Sequence, residues 1–85
     1  MPTHRTPPPD WVLDERAQLG KRIGERRQAQ CLSQDQLADA IGMERRSIQR
    51  YEAGTRDPTY SVLLQIAKAL EVDLADLVKK SPAGG

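Results

Sequence analysis

Phenylalanine is absent from the 85 residues, tryptophan occurs once and tyrosine twice. A core without aromatic bulk must be built from Leu, Ile, Val and Ala. That favours packed helices over a β sandwich, whose pleated faces recruit aromatic side chains. Cysteine is equally scarce. Cys31 stands alone, so neither an intrachain disulfide nor a cysteine-based zinc site can form, and a small chain without such staples is expected in the cytoplasm. No apolar run approaches the roughly 18 residues of a membrane span, and the opening MPTHRTPPPD lacks the apolar stretch of a signal peptide. An excess of one charge is missing too. Thirteen Lys and Arg against 12 Asp and Glu leave a net charge of +1, which taken alone counsels against a nucleic-acid binder. The length allows one modest core, and no separate ligand-sensing domain is expected within these residues.

What the chain does have is helical punctuation. Four prolines, Pro2, Pro7, Pro8 and Pro9, crowd the first nine residues, which are expected to form an extended or disordered arm. Residues 81–85, SPAGG, read as a flexible tail, which leaves residues 10–80 as the folded domain. Asp10 is placed to cap a first helix from Trp11 to about Gln30, with Leu19 and Ile23 facing inward. Ser33 followed by Gln36 is a capping box for a second helix, which carries Leu37, Ala38 and Ile41 and stops at Gly42. A third helix spans Glu44 to Ala53 and stops at Gly54. Thr59 caps a fourth helix with the stripe Val62, Leu63, Ile66, Ala67 and Leu70, and Asp73 caps a fifth bearing Leu74, Leu77 and Val78. No segment alternates with period two. The expected class is all-α, a compact five-helix domain.

Helices two and three are joined by Gly42-Met43 alone, too tight a link for antiparallel packing. Such a glycine-containing turn is the helix-turn-helix layout, whose second helix enters the DNA major groove. With Arg45 set at zero and about 100° per residue, Gln49 lies near 40°, Arg46 near 100° and Arg50 near 140°. Ile48, Tyr51 and Ser47 fall on the opposite arc. Three arginines and a glutamine on one arc are the side chains that fork onto guanine and pair with adenine. A merely solvated face would mix Lys and Glu, and this one does not. The near-neutral total also divides unevenly. Residues 1–18 and 57–85 each carry −1, whereas residues 19–56 carry +3. The positive charge belongs to the helix-turn-helix, with modest non-specific affinity for DNA to be expected.

From Leu19 to Val78 the chain resembles the Cro/cI-type helix-turn-helix family. The resemblance rests on Leu19-Gly20, Arg27, LSQDQLADAIG (32–42), SIQRYEAG (47–54), Pro58, LLQIAKAL (63–70) and VDLADLV (72–78). It implies base contacts from Arg45, Arg46, Gln49 and Arg50; Glu44, whose carboxylate can accept from a cytosine amine, is a further candidate on chemical grounds alone. It implies backbone contacts from Ser33, Gln34, Ser47, Thr55 and Arg56, and a structural ion pair between Arg27 and Glu52. Some positions depart from the family pattern. Arg26 stands where Leu is frequent, so its stem is expected to fill a core slot. Glu44 replaces a better N-cap residue, Glu71 replaces a helix-ending glycine, and Cys31 replaces another glycine.

Nothing points to catalysis. His4 lies in the proline arm without an acidic partner, and Cys31 has no base beside it. No metal or cofactor is expected. Trp11 has two readings: packed on the fifth helix, or part of a dimer surface with Leu74, Leu77 and Val78. The expected function is a transcriptional regulator, a repressor in the first instance, that binds a double-stranded operator as a homodimer. The alternative is an antitoxin or another regulator built to bind a protein partner through the same fold.

Overall fold

The helices begin and end where local chemistry lets them. The computed structural model describes residues 6–78, so His4, most of the proline arm and the 81–85 tail lie outside the described residues. α1 spans Asp10–Ala29, α2 Gln34–Ala40, α3 Arg45–Glu52, α4 Tyr60–Leu70 and α5 Leu74–Val78. The described residues are all-helical apart from turns, as the periodicity requires.

The first boundary corrects the sequence reading. Asp10 does not cap α1 but is its first residue, and Pro9 holds the N-cap position. The Pro9 carbonyl accepts from Val12 N at 3.0 Å and Leu13 N at 3.2 Å. Proline's extended backbone suits the cap position, and its missing N–H costs nothing there. α2 starts on the anticipated capping box: Ser33 Oγ accepts from Gln36 N at 3.0 Å, and Ser33 N donates to Gln36 Oε1 at 2.8 Å. Thr59 Oγ1 likewise accepts from Val62 N and caps α4. Asp73 N donates to the Asp76 carboxylate at 3.2 Å, the reciprocal half of a capping box, at the start of α5.

Two helix ends turn through the left-handed region without glycine. Cys31 and Glu71 both have φ near 58°, where a Cβ crowds the following carbonyl. The last turns still close, through Leu32 N to Arg27 O at 3.1 Å and Val72 N to Ala67 O at 3.0 Å. Glycine suits both positions better. Cys31→Gly and Glu71→Gly are each expected to stabilise the domain by about 0.5–1 kcal/mol, read as an upward shift of the urea midpoint with unchanged slope.

The core is aliphatic. Ile23 of α1, Leu37 of α2, Ile48 of α3, Ile66 and Leu70 of α4 and Leu77 of α5 are fully buried, with Tyr51 beside them. No polar residue is buried in that core. Side chains tie its edges to free helix-end carbonyls: Gln30 Nε2 donates to Leu70 O at 3.1 Å and an Arg22 nitrogen to Leu77 O at 3.2 Å. Arg26, expected to lend its stem to the core, is exposed instead. The core, with Ile23, Leu37 and Leu70 fully buried, forms without it.

Candidate nucleic-acid interface

α3 is short, and its eight residues are amphipathic to the point that little freedom remains in how it sits. Ile48 and Tyr51 point into the core, 0% and 4% exposed. Arg45, Arg46, Gln49 and Arg50 lie on the exposed side and Ser47 is half-buried at the margin. The division matches the angular reading of the sequence. The turn before α3 comprises Ile41–Glu44, longer at each end than Gly42-Met43 because Ile41 and Glu44 serve as caps. Gly42 takes φ +68° there, and Met43 N returns to Ala38 O at 2.9 Å.

The end of α3 is held by charge. Arg27 Nε donates to Glu52 Oε2 at 2.7 Å and a second guanidinium nitrogen to Oε1 at 3.0 Å, a bidentate fork between α1 and α3. Its remaining nitrogen donates to Leu32 O at 2.8 Å, and Gln34 Nε2 donates to Glu52 Oε1 at 3.1 Å. Both partners of the pair are about nine-tenths covered. The hydrogen bond to Glu52 raises the already high pKa of Arg27, against the opposing effect of burial. A raised pKa means that the contribution of Arg27's own ionisation is complete below the ordinary arginine value and is lost as pH rises past it, under strongly alkaline conditions.

The exposed arc is less uniform than its sequence. Arg46, Gln49 and Arg50 make no side-chain hydrogen bond within the described residues, whereas Arg45 Nε lies 3.8 Å from the Asp35 carboxylate of α2. Both ends of that pair are mostly exposed, so it is weak. Glu44 sits at the N-cap position and makes no side-chain cap bond, which leaves its carboxylate beside the arginines.

The expected backbone contacts differ in what they have left to offer. Ser33 uses its oxygen as an acceptor and keeps its hydroxyl proton for an outside acceptor. Gln34 is half-buried, with one amide hydrogen committed to Glu52. Thr55 donates both its N–H and its hydroxyl to Arg50 O, at 3.0 and 3.2 Å. As placed it closes the end of α3 and has no donor left for a phosphate. Arg56, beside it, is exposed.

The apolar end residues part company as well. Trp11 is 68% exposed and Val78 48%, whereas Leu77 is fully buried. The packing of Trp11 onto the fifth helix is therefore not realised. Leu77 belongs to the domain's own core and is removed from the surface group, while Leu74 is half-buried. Sequence reasoning also passed over an ion pair between Arg16 of α1 and Asp57 of the loop after α3, 3.2 Å apart. They are 41 positions apart, and no local pattern links them.

No described helix is long and apolar enough to cross a membrane. An exposed Arg-Arg-Gln-Arg face on a helix held through Ile48, Tyr51 and Glu52 can form bidentate hydrogen bonds to base edges in a major groove. Known proteins agree. A family model described as helix-turn-helix matches residues 16–77. The HTH-type transcriptional regulator y4wC of Sinorhizobium fredii is 42% identical over 57 residues, 67% of this chain and 40% of that protein. The cryptic phage CTXphi transcriptional repressor RstR of Vibrio cholerae is 37% identical over 59 residues, 69% of this chain and 53% of that protein. The chain thus spans roughly half the length of these curated relatives. The restriction-modification controller protein C.AhdI from Aeromonas hydrophila superposes with a TM-score of 0.73 at 31% identity, covering 75% of this chain and 97% of that one. The chain belongs to the Cro/cI-type helix-turn-helix family of DNA-binding transcription regulators.

Proposed function

We propose that this chain is a repressor that acts in the cytoplasm and binds a partly palindromic operator as a homodimer, with α3 of each copy in a major groove. The exposed face of Arg45, Arg46, Gln49 and Arg50 carries the reading. These are long donors on a helix fixed by Ile48, Tyr51 and the Arg27–Glu52 pair, and positioned donors of this kind distinguish bases. Phosphate contacts from Ser33, Gln34, Ser47 and Arg56 would set the register. The relation to RstR, a repressor, supports repression over activation. The relation to C.AhdI, nearly all of which is this fold, supports a domain of this size serving as a controller.

Selection of bound duplexes from a random DNA library tests the reading, because the symmetry of the recovered site reports two copies. Against that site, Arg46→Ala or Gln49→Ala is expected to cost about 1–3 kcal/mol and to relax preference at one base pair. Arg56→Ala should weaken all duplexes alike and lower the salt slope by about one. Equal losses on selected and random DNA for Arg46→Ala would contradict base reading.

The second copy is assigned to the surface around Trp11, Leu74 and Val78. A tryptophan two-thirds in water exposes apolar area that a partner could cover. Sedimentation at micromolar concentration should show a dimer that Trp11→Ala shifts toward monomer. A monomer in both cases sinks that assignment and leaves the DNA reading to the library.

A further inference from the structure

We propose that Arg16 is a positioning residue for DNA binding: by clamping Asp57 it fixes the loop between α3 and α4, so that Arg56 is presented to the phosphate backbone. The inference rests on the DNA-binding reading above and adds to it a residue outside the helix-turn-helix.

The loop is pinned on both sides of Arg56. Before it, Thr55 is locked to Arg50 O through both of its donors. Gly54 lies so close to α1 that a Cβ there would stand 2.9 Å from Ala17 Cα, and its φ of +74° suits glycine. After it, the Asp57 carboxylate accepts from an Arg16 terminal nitrogen at 3.2 Å, and Pro58 follows with a fixed φ. Arg16 and Ala17 are neighbours, so one turn of α1 holds both ends of the segment. Arg16 is suited to this. Its side chain is only 20% exposed and its Nε is buried without a partner, so the guanidinium is already held down by packing. Little rotamer entropy remains to be lost in forming the pair, unlike an ordinary surface bridge. A fixed loop then avoids the ordering cost that a mobile one incurs on binding.

The sign of two substitutions separates a clamp from two independent charges. If Arg16 and Asp57 acted only through their fields on DNA, removing the cation would weaken binding and removing the anion would strengthen it. A clamp makes both changes weaken binding. The experiment titrates the duplex selected by the wild-type chain at several salt concentrations, with Arg16→Met, Asp57→Ala, Arg56→Ala and Arg16→Met/Arg56→Ala. Arg16→Met and Asp57→Ala should each weaken binding about three- to fivefold, the range of a modest ion pair. The double variant should bind as Arg56→Ala does, with the same salt slope, because the clamp acts through Arg56. Tighter binding by Asp57→Ala, or losses that add in the double variant, would overturn the clamp. Binding that depends on Arg56 but ignores both clamp substitutions would overturn it while leaving the DNA reading intact. A wild-type chain that selects no duplex removes both. Asp57 is an exposed loop residue, so its variant reports the sign even if Arg16→Met loses stability.

Discussion

Gly20→Ala is expected to lower the stability of the domain by about 3 kcal/mol, although alanine is the better helix former. In an isolated helix the exchange would gain about 1 kcal/mol. Here α1 and α3 touch backbone to backbone. A Cβ on Gly20 would collide with Tyr51 O and stand 2.6 Å from Glu52 O. Neither carbonyl can rotate away, because both belong to the last turn of α3. The helices must separate, and overpacking of this kind costs about 1–3 kcal/mol or more. At roughly 4–8 °C per kcal/mol for a domain of this size, thermal unfolding should fall by about 12–24 °C. Gly24 is the control. It lies one turn along the same helix, but its Cβ would meet only the Glu52 side chain, Oε1 nearest at 3.2 Å, so Gly24→Ala should stay within about 1 kcal/mol of the parent. Equal melting temperatures for the two variants would refute the close-contact argument. A surviving Gly20→Ala protein should also bind DNA more weakly, since α3 would no longer sit at its depth against α1.

That contrast shows which parts of the molecule a sequence can display. Helix ends set by local chemistry were legible: the side-chain caps at Ser33 with Gln36 and at Thr59, and the left-handed stops at Gly42 and Gly54. The two faces of α3 were legible because eight residues at a fixed pitch leave Ile48 and Tyr51 only one way to point inward. Asp10 misled because two features competed for one cap, and the proline before it satisfies the position by backbone shape alone. Arg26 misled for a different reason. A family slot says which residue type is frequent, and here the aliphatic core is fully buried while Arg26 stays exposed. Contacts between distant segments left no local trace at all, as with Arg16 and Asp57, or Gln30 and the Leu70 carbonyl. Thr55 is the instructive case for the site. Its place after α3 suits a phosphate contact, but the same carbonyl of Arg50 that ends the helix takes both of its hydrogens. Only the hydrogen-bond geometry shows that Thr55 has both donors committed while Arg56 beside it is exposed.

The ion pair that anchors α3 should respond asymmetrically to the loss of its two halves. Removing one member of a buried pair leaves the other charged and unmatched, at a cost of about 3–5 kcal/mol. Arg27→Met should lie at the severe end. It deletes both bonds to Glu52 and the bond to Leu32 O, and strands a carboxylate whose one remaining donor is Gln34. Glu52→Gln should cost less, since a neutral amide still offers Arg27 one acceptor, and Leu32 O still receives the third nitrogen. The double variant Arg27→Met/Glu52→Met has no stranded charge and should recover much of the loss, because apolar groups of similar volume often match a buried pair in stability. Urea unfolding of the parent, Arg27→Met, Glu52→Met and the double variant forms a double-mutant cycle, and additive losses would mean that the pair is solvated in solution. DNA affinity then separates stability from presentation. The double variant regains packing but not the fork that fixes the orientation of α3, so it should fold well and read the selected site less sharply than the parent.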